Sequence, residues 1–325
     1  MSAPPLLLWS LLLIVSLAVL IKASDWFTAA AERVGLALGM PAFMVGATIV
    51  ALGTSLPELA SSVLAVLRGA SEIVAGNVVG SNIANLLLVL GLAAIVDGHL
   101  RVRFELINVD LPFLAGSAFF LALVLWDGRV GRAEATLCLA GLAIYLWYAL
   151  RGRPPLRPPA DEAASAPAGE GVPASRPAWV RDGLVLVASA GLIYLGADLT
   201  VRAVVEIAHL AGIGAEVIAA SAIALGTSLP EVAVTITAAR RGRTEIAVGN
   251  VLGSNVFNSF AVVGVSGLVG PLVVPESIVG FAVPVMVIAT VLAFFVIMEK
   301  EMTKWEGWLM ILFYVYFIGT LFNVM

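Results

Sequence analysis

Two glutamates stand inside strongly apolar sequence, and each closes the same eight-residue string. The first copy runs Ala51-Leu52-Gly53-Thr54-Ser55-Leu56-Pro57-Glu58, and the second runs Ala224-Leu225-Gly226-Thr227-Ser228-Leu229-Pro230-Glu231. The register continues past them: Gly76 to Asn85 answers to Gly249 to Asn258 at the same offset that carries Glu58 to Glu231. A carboxylate held in a lipid-embedded segment costs ~3 kcal/mol on insertion scales, so it persists there only if it is protonated, paired or bound to a cation. Lysine and arginine are confined to the ends of the neighbouring apolar runs. A bound cation is therefore the natural partner. Pro57 and Pro230 lack the N–H that would bond the carbonyls of Gly53 and Gly226, which favours a break or kink and leaves carbonyls free near Thr54 and Thr227. Irregular backbone at membrane depth is tolerated where it lines a cavity or is buried in protein. Carbonyls, hydroxyls and carboxylates make an all-oxygen donor set that suits hard cations such as Ca²⁺ and Na⁺. Thiolate and imidazole donors are missing from both copies, which argues against zinc or copper.

A second polar string accompanies each copy. Asn77, Ser81 and Asn85 recur every fourth residue and share one helical face, as do Asn250, Ser254 and Asn258. Gly76 with Gly80, and Gly249 with Gly253, form pairs that permit close helix approach. A plain structural account competes here, because Ser, Thr and Asn in membrane helices often only hydrogen-bond to neighbouring helices. For Asn77, Asn82, Asn250 and Asn255, packing or capping fits as well as ligation. Asp25, Asp198 and Glu206 lie near the ends of apolar runs, where interfacial or structural roles are the default; Asp25 and Asp198 match at the common offset. Glu72 and Glu245 open their helices, where the macrodipole favours an acid.

The elements that position these residues follow from composition. Of 325 residues, 61% are hydrophobic and 12% charged, and the mean hydropathy is +1.04. Charged residues are about half the share usual in soluble proteins, so the chain reads as an all-α polytopic membrane protein. Ten apolar spans are expected, at 5–21, 41–67, 72–97, 106–126 and 131–150, then 182–203, 214–239, 245–270, 275–298 and 305–323. Residues 1–150 form a first five-helix repeat with its motif at 46–86. Residues 182–325 form a second with its motif at 219–259. Between them, 151–181 holds seven of the sixteen prolines and five arginines, the composition of a flexible linker. The first apolar run has no preceding positive charge and is followed by Lys22, unlike a cleavable signal. It is read as a retained span entering from outside.

Loop charge orients the chain. With both termini outside, 14 of the 18 basic residues fall in cytoplasmic connections, as the positive-inside rule requires. Five crossings per half is an odd number, so the second half enters the membrane inverted, and inverted repeats bring matching motifs face to face near the midplane. The seven tryptophans sit near span ends, as an interfacial belt does. One cysteine, Cys138, excludes an internal disulfide and reads as a small core residue; His99 and His209 fall near ends of apolar runs. The sequence contains no His-Glu-x-x-His or Gly-x-Ser-x-Gly string. No enzyme chemistry, cofactor, nucleic-acid partner or obligate protein partner is expected; membrane lipid is.

Gly-Thr-Ser-Leu-Pro-Glu followed by Gly-Ser-Asn-x-x-Asn, twice and in register, resembles the α-repeats of the cation/Ca²⁺ exchanger superfamily, in particular the prokaryotic sodium/calcium exchangers. The resemblance covers both halves. It implies ten transmembrane helices in two inverted repeats with broken helices at the midplane, in a prokaryotic inner membrane. It implies that Glu58 and Glu231 are central Ca²⁺ ligands, that Thr54 and Thr227 add carbonyls, and that Asn85 and Asn258 complete the centre. Ala51, Ser81, Ala224 and Ser254, with Ser55 and Ser228 nearby, would line Na⁺ positions. Some members carry aspartate where this chain has Asn258. With asparagine at both positions the site keeps two carboxylates, which neutralise one Ca²⁺. A load of three Na⁺ would leave it positive, so exchange would be electrogenic, and no K⁺ requirement is expected. The implied mechanism is alternating access, with the first and sixth spans sliding across the core. Proton/calcium exchange within the same superfamily is the alternative.

Overall fold

The computed structural model describes residues 3–107, 109–150, 176–210 and 228–321. Its helices follow the apolar runs: α1 Ala3–Ala37, α2 Ala42–Leu67, α3 Glu72–Asp97, α4 Asp110–Leu125, α5 Arg132–Leu150, α6 Arg176–Leu210, α7 Leu229–Arg240, α8 Thr244–Val269, α9 Ile278–Met298 and α10 Lys304–Leu321. Six of them, α1, α2, α3, α6, α8 and α9, are long and apolar enough to cross a membrane. Leucine, valine and tryptophan side chains such as Leu7, Leu123, Trp126, Val187 and Leu312 stand exposed on the outside, as lipid contact allows. The polar residues are gathered inside instead. The apolar window of α8 is wholly buried and that of α3 largely so, and α2 and α7 pack against them. Cys138 is a buried core residue.

Helices α1 and α6 are each 35 residues long and pack along one another. Both exceed the spans expected at 5–21 and 182–203, and α6 begins at Arg176, inside the stretch read as linker. Polar residues did not end these helices, because several of them find partners. The hydroxyls of Ser24 and Thr28 donate to the carbonyls one turn back at 2.8 Å. Thr200 donates to Ser16 across the α1–α6 contact at 2.9 Å. The charges at the end of α1 are paired as well: Asp25 with Arg241 at 2.7 Å, Glu32 with Arg243 at 2.7 Å, and Arg33 with Asp182 at 3.0 Å.

Two short antiparallel ladders tie the halves together. Strand β1 (His99–Arg101) pairs with β4 (Glu301–Thr303), and β2 (Arg129–Val130) pairs with β3 (Leu272–Val273). The repeat offset carries His99 onto Leu272 and Val130 onto Thr303. Each ladder is thus the repeat image of the other. The remaining loop contacts sort in the same way. The connection at 98–109 meets the one at 240–245, where the Glu245 carboxylate accepts from the amides of Arg103 and Phe104 and Thr244 donates to the Arg101 carbonyl. The connection at 68–71 meets 270–277, where the Val273 amide donates to Ser71.

Candidate cation site

The motif residues converge where α2, α3, α7 and α8 pack. Close approach comes first. A Cβ on Gly249 would lie 2.3 Å from the Phe43 carbonyl oxygen, one on Gly253 would lie 2.3 Å from that of Ala47, and one on Gly46 would lie 2.4 Å from that of Ile246. Only glycine lets the backbones of α2 and α8 meet this closely. The expectation of close approach therefore holds for Gly249 and Gly253. The counterpart of Ala47 in the second half lies outside the described residues.

The helices do not break at Pro57. The α-helical stretch Ala51–Leu67 carries Pro57 in its interior, and the irregularity sits two to three turns earlier, as a π-helical segment at Gly46–Val50. This corrects the expected break in the first motif: the helix continues through Pro57, and its wide turn lies ahead of the motif, where α2 meets the bare backbone of α8. Of the three further π segments among the described residues, one opens α9 at Ile278–Ala282 and two fall on the second polar strings, at Ala84–Val89 and Asn258–Val262. These two carry Asn85 and Asn258, and their starts agree to within one position under the repeat offset. Single wide turns of this kind are frequent at functional sites because they re-aim side chains and release carbonyls.

Glu58 and Glu231 are fully buried. The Ser55 hydroxyl donates to Glu231 Oε1 at 3.3 Å. Thr54 Oγ1 donates to Asn250 Oδ1 at 3.2 Å and lies 3.5 Å from the Ser254 hydroxyl. Ser81 and Ala51 are buried alongside. Both oxygens of Glu58, Oε2 of Glu231, both amide atoms of Asn85 and of Asn258, and the Ser228 hydroxyl have no hydrogen-bond partner among the described residues. The other such atoms there are Asn82 Oδ1, Arg243 Nη1 and Ser266 Oγ. Buried polar atoms are nearly always satisfied in native proteins, so a concentration of orphans on four adjoining helices marks a place built for something else. Thr227 and Ala224 lie outside the described residues.

The asparagines left open by sequence separate into two kinds. Asn77 donates to Ser62 at 3.0 Å, and Asn250 donates to Thr235 at 2.9 Å. Ser62 and Thr235 are themselves repeat equivalents. Each asparagine ties its helix to the motif helix before it, and Asn77 also reaches the Glu58 carbonyl at 3.3 Å. These are framework bonds. Asn255 bonds within its own helix, to the Val251 carbonyl. Sequence reading missed Ser62 and Thr235, although their repetition at the common offset was a visible signal. It also missed Ser259, which accepts from Asn82 across the two halves at 3.0 Å.

A cavity of about 250 Å³ reaches this region from the side of α6. It is lined by Pro57 and Ser61 of α2, Tyr194 and Asp198 of α6, and Pro230 of α7. It therefore touches residues adjacent in sequence to both buried glutamates.

The family described as "Sodium/calcium exchanger protein" matches residues 8–151 and 183–323. The chain belongs to the sodium/calcium exchanger family. Among members, it is 34% identical to the sodium/calcium exchanger MaX1 of Methanosarcina acetivorans, over 97% of this chain and 98% of that one. It is 33% identical to the putative antiporter CaxA of Alkalimonas amylolytica, over 88% of each chain. It is 32% identical to the inner membrane protein YrbG of Escherichia coli, over 82% of this chain and 81% of that one. The solved structure of the sodium-calcium exchanger NCX_Mj superposes with a TM-score of 0.81 at 28% identity, covering 97% of this chain and 99% of that one. Structures of NCX_Mj soaked with Na⁺, Ca²⁺ or Sr²⁺ match as well. This exchanger-family chain is accordingly an integral multi-pass membrane protein of transport, not an enzyme.

Proposed function

We propose that this protein exchanges Na⁺ for Ca²⁺ across the membrane by alternating access, with both ions using the oxygens of the buried cluster in turn. The observation that carries the reading is the set of buried, unpartnered carboxylate and amide atoms of Glu58, Glu231, Asn85 and Asn258. Glu58 and Glu231 supply the negative charge that a divalent ion needs in a low-dielectric setting. Asn85 and Asn258 add neutral oxygens, and Ser228 adds a hydroxyl. Thr54, held by Asn250, and Ser55, Ser81, Ser254 and Ala51 form the surrounding wall where Na⁺ would sit; Thr227 and Ala224 complete it by repeat equivalence. Ca²⁺ and Na⁺ compete for one set of oxygens, so each crossing carries one load or the other.

The ten helical segments are read as two inverted five-helix repeats, 1–150 and 182–325, joined by the connection at 151–181. What supports this is the exchange of β1–β4 for β2–β3 under the repeat offset, together with the sorting of loop contacts into two groups. The basic residues Arg33, Arg101, Arg241, Arg243 and Lys300 all belong to one group, which is taken as cytoplasmic. Both termini are then outside, in a prokaryotic inner membrane. With two carboxylates at the centre, loading three Na⁺ leaves net positive charge. Exchange is therefore electrogenic, needs no K⁺, and draws ~2.3 kcal/mol per charge from each 100 mV of membrane potential.

The test is ⁴⁵Ca²⁺ uptake into proteoliposomes loaded with Na⁺, with Na⁺-free, K⁺ and pH-gradient controls, for the native protein and Glu58→Gln. Uptake that requires internal Na⁺ and vanishes in the variant supports the assignment. Uptake indifferent to Na⁺ but driven by a pH gradient replaces it with proton/calcium exchange.

A further inference from the structure

The two halves match in sequence and in local geometry, yet they are not packed alike. The turn after the first motif helix and the turn after the second are superimposable in their dihedrals. Arg68 has φ −92° and ψ 2°, Arg241 has φ −92° and ψ 8°, and each is followed by a glycine at positive φ, Gly69 at 77° and Gly242 at 68°. The same capping bonds recur, with the Ala70 amide donating to Ala65 and the Arg243 amide donating to Ala238. Arg68 and Arg241 are repeat equivalents, as are Asp25 of α1 and Asp198 of α6. Two equivalent arginines thus stand on two equivalent turns, and the repeat offset matches the pair Arg241 and Asp25 to the pair Arg68 and Asp198.

Only one of the two pairs is made. Asp25 holds Arg241 at 2.7 Å. Asp198 instead takes Arg202, four residues along its own helix, at 2.9 Å, and Arg68 has no ion pair among the described residues. Helix packing shows the same asymmetry. Helix α1 lies closely along α7, whereas its repeat image α6 meets α2 only sparsely. The space left open is the 250 Å³ cavity, whose lining includes Asp198 of α6 and Leu64 of α2, one helical turn before Arg68. At the repeat-equivalent place in the first half, Ser24 and Thr28 are fully buried.

We propose that Asp25–Arg241 and Asp198–Arg68 are alternating latches of the transport cycle, each forming as the other opens. This rests on the alternating-access reading above. In the state described here the α1–α7 side is latched and the α6–α2 side is open. Sliding the α1–α6 pair closes α6 onto α2. Asp198 then leaves Arg202 for Arg68, while Asp25 releases Arg241. The inverted repeat makes the two end states images of each other, and the ion pair that one state loses is replaced by its equivalent in the other. The Asp198–Arg202 pair given up on closing has no image, because Ala29 stands at the equivalent of Arg202; as an exposed pair within one helix it contributes little, so the two states stay close in population.

The test uses the full chain with Cys138→Ala, which removes the one native thiol. The pairs Asp25→Cys/Arg241→Cys and Arg68→Cys/Asp198→Cys are made separately and together, with a specific protease site inserted between residues 151 and 175. Proteoliposomes are treated with a short, reducible bifunctional thiol cross-linker, denatured and cut; halves that stay joined report a link. Both single pairs are expected to link, each link to reduce exchange to background, and reduction of the linker to restore it. In the quadruple variant, molecules carrying both links, separated from singly linked ones by the faster migration of a closed ring after denaturation and cutting, should be at least tenfold rarer than the product of the separate yields. Equal or greater yield of double links overturns the proposal. So does the absence of any 68–198 link in a parent that exchanges Ca²⁺. A parent without exchange refutes the transport reading instead, and mutual exclusion of the links is still scored.

Discussion

Adding one methyl group at Gly253 tests the geometry of the cluster without touching any proposed ligand. A Cβ there would sit 2.3 Å from the Ala47 carbonyl oxygen and 2.7 Å from the Ala47 Cα. Ordinary contact begins near 3.4 Å, so the backbones of α2 and α8 must part by about 1 Å. No flexible side chain is available to give way, because both obstructing atoms are main chain. The same contact carries the Thr54–Asn250 bond at 3.2 Å and the Thr54–Ser254 approach at 3.5 Å. An added ~1 Å takes both beyond the range of a hydrogen bond. Overpacking of this kind costs about 1–3 kcal/mol in stability. The functional loss should be larger in proportion, since a ~1 Å misplacement of a preorganised group is worth up to about a hundredfold. Gly253→Ala is therefore expected to lower the melting temperature in detergent and to cut Na⁺-driven ⁴⁵Ca²⁺ uptake at least tenfold. Gly116→Ala is the control, because a Cβ at Gly116 meets nothing within 4 Å among the described residues; it should match the parent in both assays. If Gly253→Ala exchanges Ca²⁺ at the parental rate, the close crossing of α2 and α8 is not what holds the site together.

Neutralising Glu58→Gln or Glu231→Gln should remove stabilisation by Ca²⁺ in a thermal-shift titration. Ser55→Ala, which deletes one hydrogen bond to Glu231 worth about 1.5–3 kcal/mol as a bond to a charged group, should weaken it by one to two orders of magnitude; unchanged Ca²⁺ affinity in Glu58→Gln would remove that residue from the site. Asn77→Ala and Asn250→Ala each leave a buried hydroxyl without its donor, Ser62 in one case and Thr235 in the other, at a cost of about 1–3 kcal/mol each. Their melting temperatures should fall in ion-free protein as much as in loaded protein, and a loss seen only in the loaded form would make them ligands after all.

The duplicated strings were legible because they offend against their surroundings. Glu58 and Glu231 in apolar sequence need a reason, and repetition at one offset supplies a pseudo-twofold partner for each residue. Helix positions followed from apolar runs for the same reason that makes hydropathy effective in membranes, namely that the backbone must satisfy itself within each span. Lengths were harder. Helix α1 was expected to end at 21 because Lys22, Asp25, Glu32 and Arg33 follow, and no local rule reveals that Arg241, Arg243 and Asp182 wait opposite three of them. The π segments were invisible too. Whether a helix widens at Gly46 or breaks at Pro57 depends on what packs against it, here the bare backbone of α8 at Gly249 and Gly253. Asn77 and Asn250 could be read from sequence as framework or as ligands, and the positions of Ser62 and Thr235 settle them as framework.

A repeat in sequence predicts symmetry, and the departures from symmetry are where a transporter of this plan carries its state. Asn77–Ser62 and Asn250–Thr235 are equivalent and both made, as are the two ladders and the two arginine turns. Those features belong to the rigid part, since they cannot differ between states without one copy betraying it. Asp25–Arg241 is made and its image is not; α1 lies on α7 while α6 stands off α2; Ser24 and Thr28 are buried where the opposite side has a cavity. Each of these large asymmetries involves α1 or α6; inside the frame of α2, α3, α7 and α8 one side-chain bond differs, Ser55–Glu231 being made while Ser228 and Glu58 are unpartnered among the described residues. On the proposed alternating-access cycle, the helices that move are therefore α1 and α6. The site oxygens sit on the fixed side of that division, as a mechanism requires when one set of ligands must serve both faces of the membrane.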